Sequence, residues 1–393
     1  MERFDHSFFD APQDRRFTDS LKYGTPPPGA PADVIPMWVA DMDFPTPPAV
    51  TAALRAAGER NIFGYTAVEP GHWDTVAAWY RRRMGWEIDK SWFSPVPSVL
   101  SGVSAAVRAF AAPGEGVALC QPVYYPFARI ITGCGRSLRV APLRLEGTRY
   151  TFDYDAIEKE LRRKDCKVFL LCNPHNPVAR VWTREELAKL GEICLRNDVV
   201  IVSDEIHADL IHAPYRHTPM ASVSPEIARI TVTAMAPTKT FNMAGIPAAH
   251  LIIPSEELRG KVRDMCWASG LAGWGVASML AARAAYGESE PWLEGLLDYL
   301  RGNIALLYEA FPAGSPIACL PVEGTYLAWL DCRGLGLTEE ELHDLFLKKA
   351  GVWLDDGSMF GTGGEGFMRL NFACQRATLT EAIRRVKDAA GLN

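Results

Sequence analysis

The sequence predicts an α/β protein with a large domain, whose mostly parallel sheet is sandwiched by helices, and a smaller α+β domain. The chain has 393 residues, more than one ordinary hydrophobic core holds, and this length favours two domains. Short β-branched runs recur with helical patterns between many of them, and these runs are apolar throughout. Strands of that kind are typical of a parallel sheet that is covered on both faces.

The elements of the large domain follow from this periodicity. Six apolar runs are its candidate strands, at 117–121, 138–143, 168–172, 199–203, 230–234 and 250–253. Its candidate helices lie at 103–111, 127–132, 154–163 and 183–196. The last of these begins with a capping box, Thr183 followed by Glu186. In such a sheet, functional residues gather at the carboxyl ends of the strands.

The pattern changes after about residue 286, where longer helices flank a few strands. The candidate helices are 291–311, 338–350 and 379–390, and the candidate strands are 325–330, 352–354 and 367–372. We therefore expect three parts: an extended, proline-rich segment (1–47) that joins the small domain, the large domain (48–286) and the small domain (287–393).

Composition narrows the class of protein. Net charge is -6, and the one tight basic cluster, Arg81 to Arg83, is typical of the solvated end of a helix, so no nucleic-acid partner is expected. The N-terminus lacks a signal peptide's apolar stretch, and no apolar run reaches the length of a membrane span. The nine cysteines are scattered without paired spacing, which indicates a reducing compartment and neither disulfides nor a metal site. We expect a cytoplasmic protein.

Two apolar strands each end in a charged side chain. The run at 199–203 delivers Asp204 to its carboxyl end, and the run at 230–234 is followed by Lys239 among small and apolar residues. A lysine whose pKa is lowered by burial is a nucleophile for carbonyl groups. Each residue also has an alternative interpretation without a catalytic role: Asp204 could cap a helix, and Lys239 could be a surface lysine.

Two further segments carry polar groups that local structure does not require. The strand at 168–172 runs into a turn with two Asn–Pro pairs, at Asn173 and Asn176. Arg369 lies within a small-domain strand. Arginine is a natural bidentate partner for a substrate carboxylate, and the alternative is an arginine paired with a structural acid.

The order of these segments resembles the fold-type-I enzymes that depend on pyridoxal 5'-phosphate (PLP), the aspartate aminotransferase superfamily. Four stretches narrow the resemblance: Met37-Trp-Val-Ala-Asp-Met-Asp-Phe44, Phe63-Gly-Tyr65, Ser203-Asp-Glu-Ile-His207 and Lys239-Thr-Phe-Asn242. They look like the cystathionine β-lyase (C–S lyase) branch related to the bacterial MalY and PatB proteins. The resemblance implies the PLP-dependent transferase fold of type I, with PLP as the cofactor.

The resemblance also implies roles at the cofactor ring. Lys239 matches the Schiff-base lysine that later acts as the base at the substrate Cα. Asp204 matches the residue that pairs with the pyridine nitrogen, and Tyr124 the aromatic residue that stacks on the ring. Asn176 is expected at the phenolic oxygen of the ring, with His207 beside it.

The phosphate and the substrate are assigned on the same basis. Backbone N–H groups at Ser98, Val99 and Leu100 are expected to cradle the phosphate, together with Thr238. Tyr65 matches a tyrosine that reaches the phosphate of the neighbouring subunit, which implies a homodimer with shared active sites. The expected substrate-binding residues are Arg369, which matches the arginine for the substrate α-carboxylate, Asn176, and the backbone at Val39 and Ala40.

Several positions depart from the family pattern. Ser98-Val-Leu stands in place of a glycine-led phosphate loop, Ala179 in place of a glycine after the Asn–Pro turn, and Ala236 in place of a phosphate-binding hydroxyl residue. The stretch 361–366 fits GxGxxG, but a predicted strand rather than a helix follows it, so we interpret it as a loop and not as a nucleotide site.

The resulting hypothesis is α,β-elimination from an S-substituted L-cysteine to a thiol, pyruvate and ammonia. Three alternatives stay open at this point. The same residues serve an aminotransferase, and they serve a decarboxylating or oxidative PLP enzyme that acts on a cysteine conjugate. A catalytically silent relative of the fold is the third.

Overall fold

The computed structural model describes residues 4–16, 18–271 and 273–392, and it confirms the α/β fold class. The strands are β1 Ile35–Pro36, β2 Phe93–Val96, β3 Gly116–Leu119, β4 Ser137–Val140, β5 Arg144–Glu146, β6 Arg149–Thr151, β7 Cys166–Cys172, β8 Val200–Asp204, β9 Thr231–Met235, β10 Ala249–Ile252, β11 Ala318–Cys319, β12 Leu327–Asp331, β13 Val352–Trp353, β14 Asp355–Asp356 and β15 Phe367–Asn371. The α-helices are α1 His6–Asp10, α2 Pro48–Arg60, α3 Pro70–Met84, α4 Val99–Phe110, α5 Pro126–Gly133, α6 Tyr154–Leu161, α7 Arg184–Arg196, α8 Pro225–Arg229, α9 Pro237–Thr240, α10 Glu256–Ala268, α11 Val276–Glu288, α12 Glu290–Ala310, α13 Glu339–Asp344 and α14 Arg376–Ala390.

The large sheet has seven strands in the order β2-β10-β9-β8-β7-β3-β4. β10 runs antiparallel to both of its neighbours, and the other pairs are parallel. The six predicted strands are present. The edge strand β2 was not predicted, because its sequence, Phe-Ser-Pro-Val, is short and contains a proline, a residue that is typical of turns.

Each face of this sheet packs against its own helices. Phe169 and Ile201 point into a core that contains Leu187 of α7. Val168 and Val202, one residue away along the same strands, point into a second core with helices α4, α5 and α10. Because successive side chains of a strand point to opposite faces, these continuous apolar strands hold a layer of helices on each side.

The small sheet is antiparallel, with the order β11-β12-β15-β14. β1 pairs in parallel with β13, so the N-terminal segment lies against this region. The predicted helix at 338–350 is α13 followed by a π-helical turn, Leu345–Lys349. The strand predicted at 325–330 begins two residues later, because Thr325 has a left-handed φ of 69°.

The predicted boundary near residue 286 falls in the last turn of α11, shortly before α12 begins, and the division into domains stays a prediction. None of the helices in the described ranges combines the length and the apolar composition that a bilayer crossing needs.

Candidate active site

A cavity of about 450 Å³ lies at the carboxyl ends of the central parallel strands β7, β8 and β9. Asp204 ends β8, and the turns after β7 and β9 bring Asn176 and Lys239 to the same edge. Ten residues expected at the site line this cavity together: Ala40, Ser98, Val99, Leu100, Tyr124, Asn176, Asp204, His207, Thr238 and Lys239.

Lys239 lies in the short helix α9 and is partly buried. Its Nζ donates a hydrogen bond to the backbone oxygen of Ala40 at 2.5 Å. Burial lowers the pKa of Lys239 to about 8, against the opposing pull of Asp41, and the charge of Arg369 lowers it further. The neutral, nucleophilic amine is therefore formed at a lower pH than in an ordinary lysine, although the charged form still predominates below about pH 8.

Asp204 is buried, and its Oδ1 accepts a hydrogen bond from the Ile206 N–H at 3.0 Å. Burial raises the pKa of Asp204 to about 7, although the Ile206 bond opposes the shift. A cation held against this carboxyl group would stabilise its charged form. The position suits a partner that carries a proton on a ring nitrogen.

His207 and Tyr124 are both held in uncharged forms. Burial lowers the pKa of His207 to about 3, and the charges of Lys239 and Arg369 act in the same direction. Its Nδ1 is buried without a hydrogen-bond partner in the described part of the chain. Burial raises the pKa of Tyr124 to about 12. Both groups can thus exchange hydrogen bonds with a ligand without changing charge.

One end of the cavity is formed by the N-terminus of α4. Ser98 caps this helix, and its hydroxyl accepts from the Ser101 N–H in a reciprocal capping box. The first N–H groups of a helix have no partner within it, and those of Val99 and Leu100 find no acceptor elsewhere in the described ranges. With the positive end of the helix dipole, they are suited to bind a phosphate group.

Arg369 lies behind Asn176 and is not part of the cavity wall. Its Nη1 donates to the Asn176 Oδ1 at 3.1 Å, and its Nη2 donates to the Trp38 backbone oxygen at 2.8 Å. Nη2 also contacts the carboxylate of Asp355. Arg369 therefore has the acidic partner that the alternative interpretation of the sequence, an arginine paired with a structural acid, predicts.

The segment 37–44 connects the large sheet to the small one. On the large-sheet side, Asn242 accepts from the Met42 N–H at 2.9 Å. Its Nδ2 donates to the backbone oxygens of Met42 at 3.0 Å and Phe44 at 2.7 Å. Because Asn242 lies three residues after Lys239, this amide fixes the lysine turn against the segment.

Two residues of the small-sheet region, which the sequence did not indicate, hold the same segment. The Tyr326 hydroxyl donates to the Ala40 oxygen at 2.8 Å, the same atom that Lys239 contacts. Asn371 donates to the backbone oxygens of Val39 at 2.6 Å and Asp41 at 2.5 Å. Asn371 could have been found, since the two-residue repeat of a strand places it on the same face as Arg369; no pattern marks Tyr326.

Two predicted residues lie outside the cavity wall besides Arg369. Val39 contributes only its backbone oxygen, to Asn371. Tyr65 does not line the cavity of its own chain, and its side chain is fully exposed. That exposure is compatible with the expectation that it serves a neighbouring subunit, which stays a prediction.

The residues present fit the cofactor that the resemblance implies. A protein that holds PLP needs an amine for its aldehyde, a buried carboxylate for its ring nitrogen and N–H donors for its phosphate. Lys239, Asp204 and the start of α4 supply these groups around one cavity. The buried His207 Nδ1, which has no partner among the described residues, is a further polar atom available to a ligand.

Comparison with known proteins agrees with this geometry. The model of the aminotransferase class I and II family matches residues 32–386. Cystathionine β-lyase PatB of Bacillus subtilis is 41% identical over 97% of this chain and 99% of its own length. Protein MalY of Escherichia coli is 31% identical over 91% of this chain and 92% of its own length. The crystal structure of cystalysin from Treponema denticola, which contains PLP, has a TM-score of 0.94 and 34% identity, covering 97% of this chain and 98% of that one.

Proposed function

We propose that this chain, which belongs to the aminotransferase class I and II family, is a PLP-dependent C–S β-lyase. The reaction cleaves the Cβ–S bond of an S-substituted L-cysteine and, with the addition of one water molecule, yields a thiol, pyruvate and ammonia. The observation that carries the lyase assignment is the likeness to the cystathionine β-lyase PatB over nearly the full length of both chains. The cavity residues serve several reactions of this family and do not select one alone.

PLP, when bound, withdraws electrons from the substrate Cα and so makes its proton acidic. Asp204 supports this by keeping a proton on the ring nitrogen, because a buried carboxylate is stabilised by a cation at hydrogen-bond distance. Asn176 and His207 offer neutral polar groups to the ring, and Tyr124 covers it. The start of α4 and Thr238 hold the phosphate.

Lys239 acts first as the amine that holds the cofactor and then as the base that removes the Cα proton. Its lowered pKa gives the neutral amine, which both roles need, a larger share near neutral pH than an ordinary lysine has. Arg369 binds the α-carboxylate of the substrate, and the backbone at Val39 and Ala40 with Asn176 completes that side of the site. A thiolate then leaves from Cβ, which is favourable because the pKa of a thiol is about 8.5 whereas that of water is about 15.7.

The active enzyme is a homodimer in this proposal. Ile62, Phe63 and Tyr65 are all largely exposed in one stretch of chain, with relative exposures of 80% for Ile62 and 63% for Phe63 and full exposure for Tyr65. A contiguous group of exposed large apolar side chains is typical of a surface that another protein covers. Tyr65 would then reach the phosphate in the partner's cavity. A cytoplasmic location is supported by the cysteines, each of which is a free thiol.

The test is product analysis with S-methyl-L-cysteine and L-cystathionine, without any 2-keto acid acceptor. We expect equal amounts of thiol and pyruvate from at least one of them, measured by a thiol reagent and by mass spectrometry. The Lys239→Ala protein is the control for non-enzymatic breakdown. Turnover that appears only when a keto acid is added would make the chain an aminotransferase, and carbon dioxide or aldehyde release would mark the decarboxylating or oxidative alternative. If the purified protein took up no PLP, the result would support the third alternative, a catalytically silent relative of the fold.

A further inference from the structure

The carboxylate of Asp355 lies against the arginine that is proposed to bind the substrate. β14 and β15 are antiparallel neighbours, and their register places Asp355 directly opposite Arg369. Both side chains are only 3% exposed, and the Asp355 Oδ2 accepts a hydrogen bond from Arg369 Nη2. The arginine therefore has an internal anion on one of its terminal nitrogens, Nη2.

Arg369 has three contacts besides Asp355 that hold its position. Asn176 and the Trp38 backbone oxygen each accept a hydrogen bond from its guanidinium group. The ring of Phe360 lies under the guanidinium carbon at 4.9 Å. Three contacts from three parts of the chain thus orient the arginine, and Asp355 adds charge to a group that is already held.

We propose that Asp355 is a resident competitor for the substrate carboxylate, which weakens the binding of any ligand that has only a carboxylate to offer. This inference rests on the proposed function for the identity of those ligands. An incoming carboxylate must share Arg369 with a second buried anion, and two like charges at one buried site repel each other. An α-amino acid also engages the cofactor through its amine, so it has a second attachment that compensates for this repulsion.

The consequence concerns products and acceptors. Pyruvate and other 2-keto acids have a carboxylate but no amine. Asp355 would hasten the release of pyruvate and would lower the affinity for the keto acids that an aminotransferase needs as acceptors. In this way one aspartate biases a shared set of catalytic residues towards elimination.

The experiment measures binding without turnover. The probe is 3-(methylthio)propanoate, which keeps the thioether and the carboxylate of S-methylcysteine but lacks the amine. Its Kd for the holoenzyme is measured by calorimetry for the wild type and for Asp355→Asn. We expect the variant to bind at least about tenfold more tightly, because removing the competing charge leaves Arg369 with an unmatched positive charge.

Two controls show whether a change in Kd comes from the lost charge of Asp355 or from an altered shape of the site. Asp356→Asn removes the same charge from the neighbouring position, whose carboxylate faces His343 instead, and it should leave the Kd unchanged. The neutral amide 3-(methylthio)propanamide should bind the wild type and Asp355→Asn equally. If Asp355→Asn does not fold with a full complement of cofactor, Asp355→Ser removes the same charge with a smaller side chain.

An unchanged or weaker affinity in the charge-removing variant overturns the proposal, because it makes Asp355 a support for Arg369 and not a competitor. A carboxylate probe that fails to bind that variant at all overturns it equally. Since no turnover is measured, tighter binding would stand even if the protein proved to have no lyase activity, and a lyase with unchanged binding would retain its proposed function.

Discussion

The two sides of the cavity treat their charged groups differently. On the large-sheet side, Asp204 and Lys239 are shifted by burial towards their neutral forms, and their main hydrogen bonds are to backbone groups. On the small-sheet side, Arg369 is neutralised by Asp355 and held by further contacts. The first arrangement leaves groups ready for a cofactor, whereas the second makes a ligand compete for its partner. In the proposed function, the large-sheet side therefore carries out the reaction, and the small-sheet side selects which ligands bind.

The largest effect should come from Lys239. Its replacement by alanine removes the amine that is proposed to hold the cofactor and to act as the base for the Cα proton. We expect kcat for thiol release to fall by at least about a thousandfold. The measurement is thiol production at saturating substrate, and a rate within tenfold of the wild type would show that another residue carries the chemistry.

Asp204→Asn tests the other charged group on the same side. The asparagine oxygen can still accept from the Ile206 N–H, so the change removes charge and leaves the local fold in place. We expect kcat to fall about a hundredfold, because the ring nitrogen loses its fixed counter-charge. Cofactor content, measured by absorbance after dialysis, shows whether loss of binding contributes. An unaltered kcat at full occupancy would remove Asp204 from the mechanism.

The lowered pKa of Lys239 predicts a dependence of stability on pH. Below about pH 8 the folded and unfolded states both hold the proton, and the buried cation costs stability. As pH rises above 8, the folded state releases the proton, while the unfolded lysine keeps it up to its ordinary value of 10.5. Stability of the wild type relative to Lys239→Met should therefore rise with pH, by about 2 kcal/mol at pH 9.5.

Urea unfolding of the two proteins, both freed of cofactor, measures this difference at several pH values. Because both proteins share every other titrating group, their difference isolates the lysine. A difference that stays constant between pH 7 and 9.5 would mean that the amine keeps an ordinary pKa in the folded protein.

A smaller effect is expected on the small-sheet side, from Arg369→Lys. Lysine keeps the charge but cannot make two parallel hydrogen bonds to a carboxylate. We expect KM to rise about tenfold while kcat changes little, since this side is proposed to bind the substrate and not to move its protons. Steady-state kinetics separates the two constants. A fall in kcat with unchanged KM would place Arg369 among the groups that act on the reacting bonds and would erase the contrast between the two sides.

The residues that meet on the large-sheet side of the cavity could be predicted from the sequence, and the reason is physical. Asp204 follows an apolar parallel strand, and Lys239 follows the next one after a short turn. The carboxyl ends of parallel strands meet at one edge, so the order of the chain determines which residues come together. Six of the seven strands of the large sheet and the helices α4 to α7 were predicted for the same reason, since their apolar periodicity reports burial directly.

The small-sheet side could not be predicted to the same extent. Asp355 meets Arg369 through the register of two antiparallel strands joined by a glycine-rich loop, and that register follows from packing. Tyr326 meets Ala40 across 286 residues of sequence, which no local pattern encodes. The helix predicted at 338–350 was partly wrong, because its apolar residues continue the helical period while the backbone widens into a π-helical turn at Leu345–Lys349.

The most direct test of the account is to locate the cofactor on the chain. Holoenzyme is reduced with borohydride, digested and mapped by mass spectrometry. We predict a pyridoxyl group on Lys239 in stoichiometric amount, and none on the Lys239→Ala protein. A pyridoxyl group on a different lysine, or none on the peptide that contains Lys239, would contradict the assignment of this cavity as the active site.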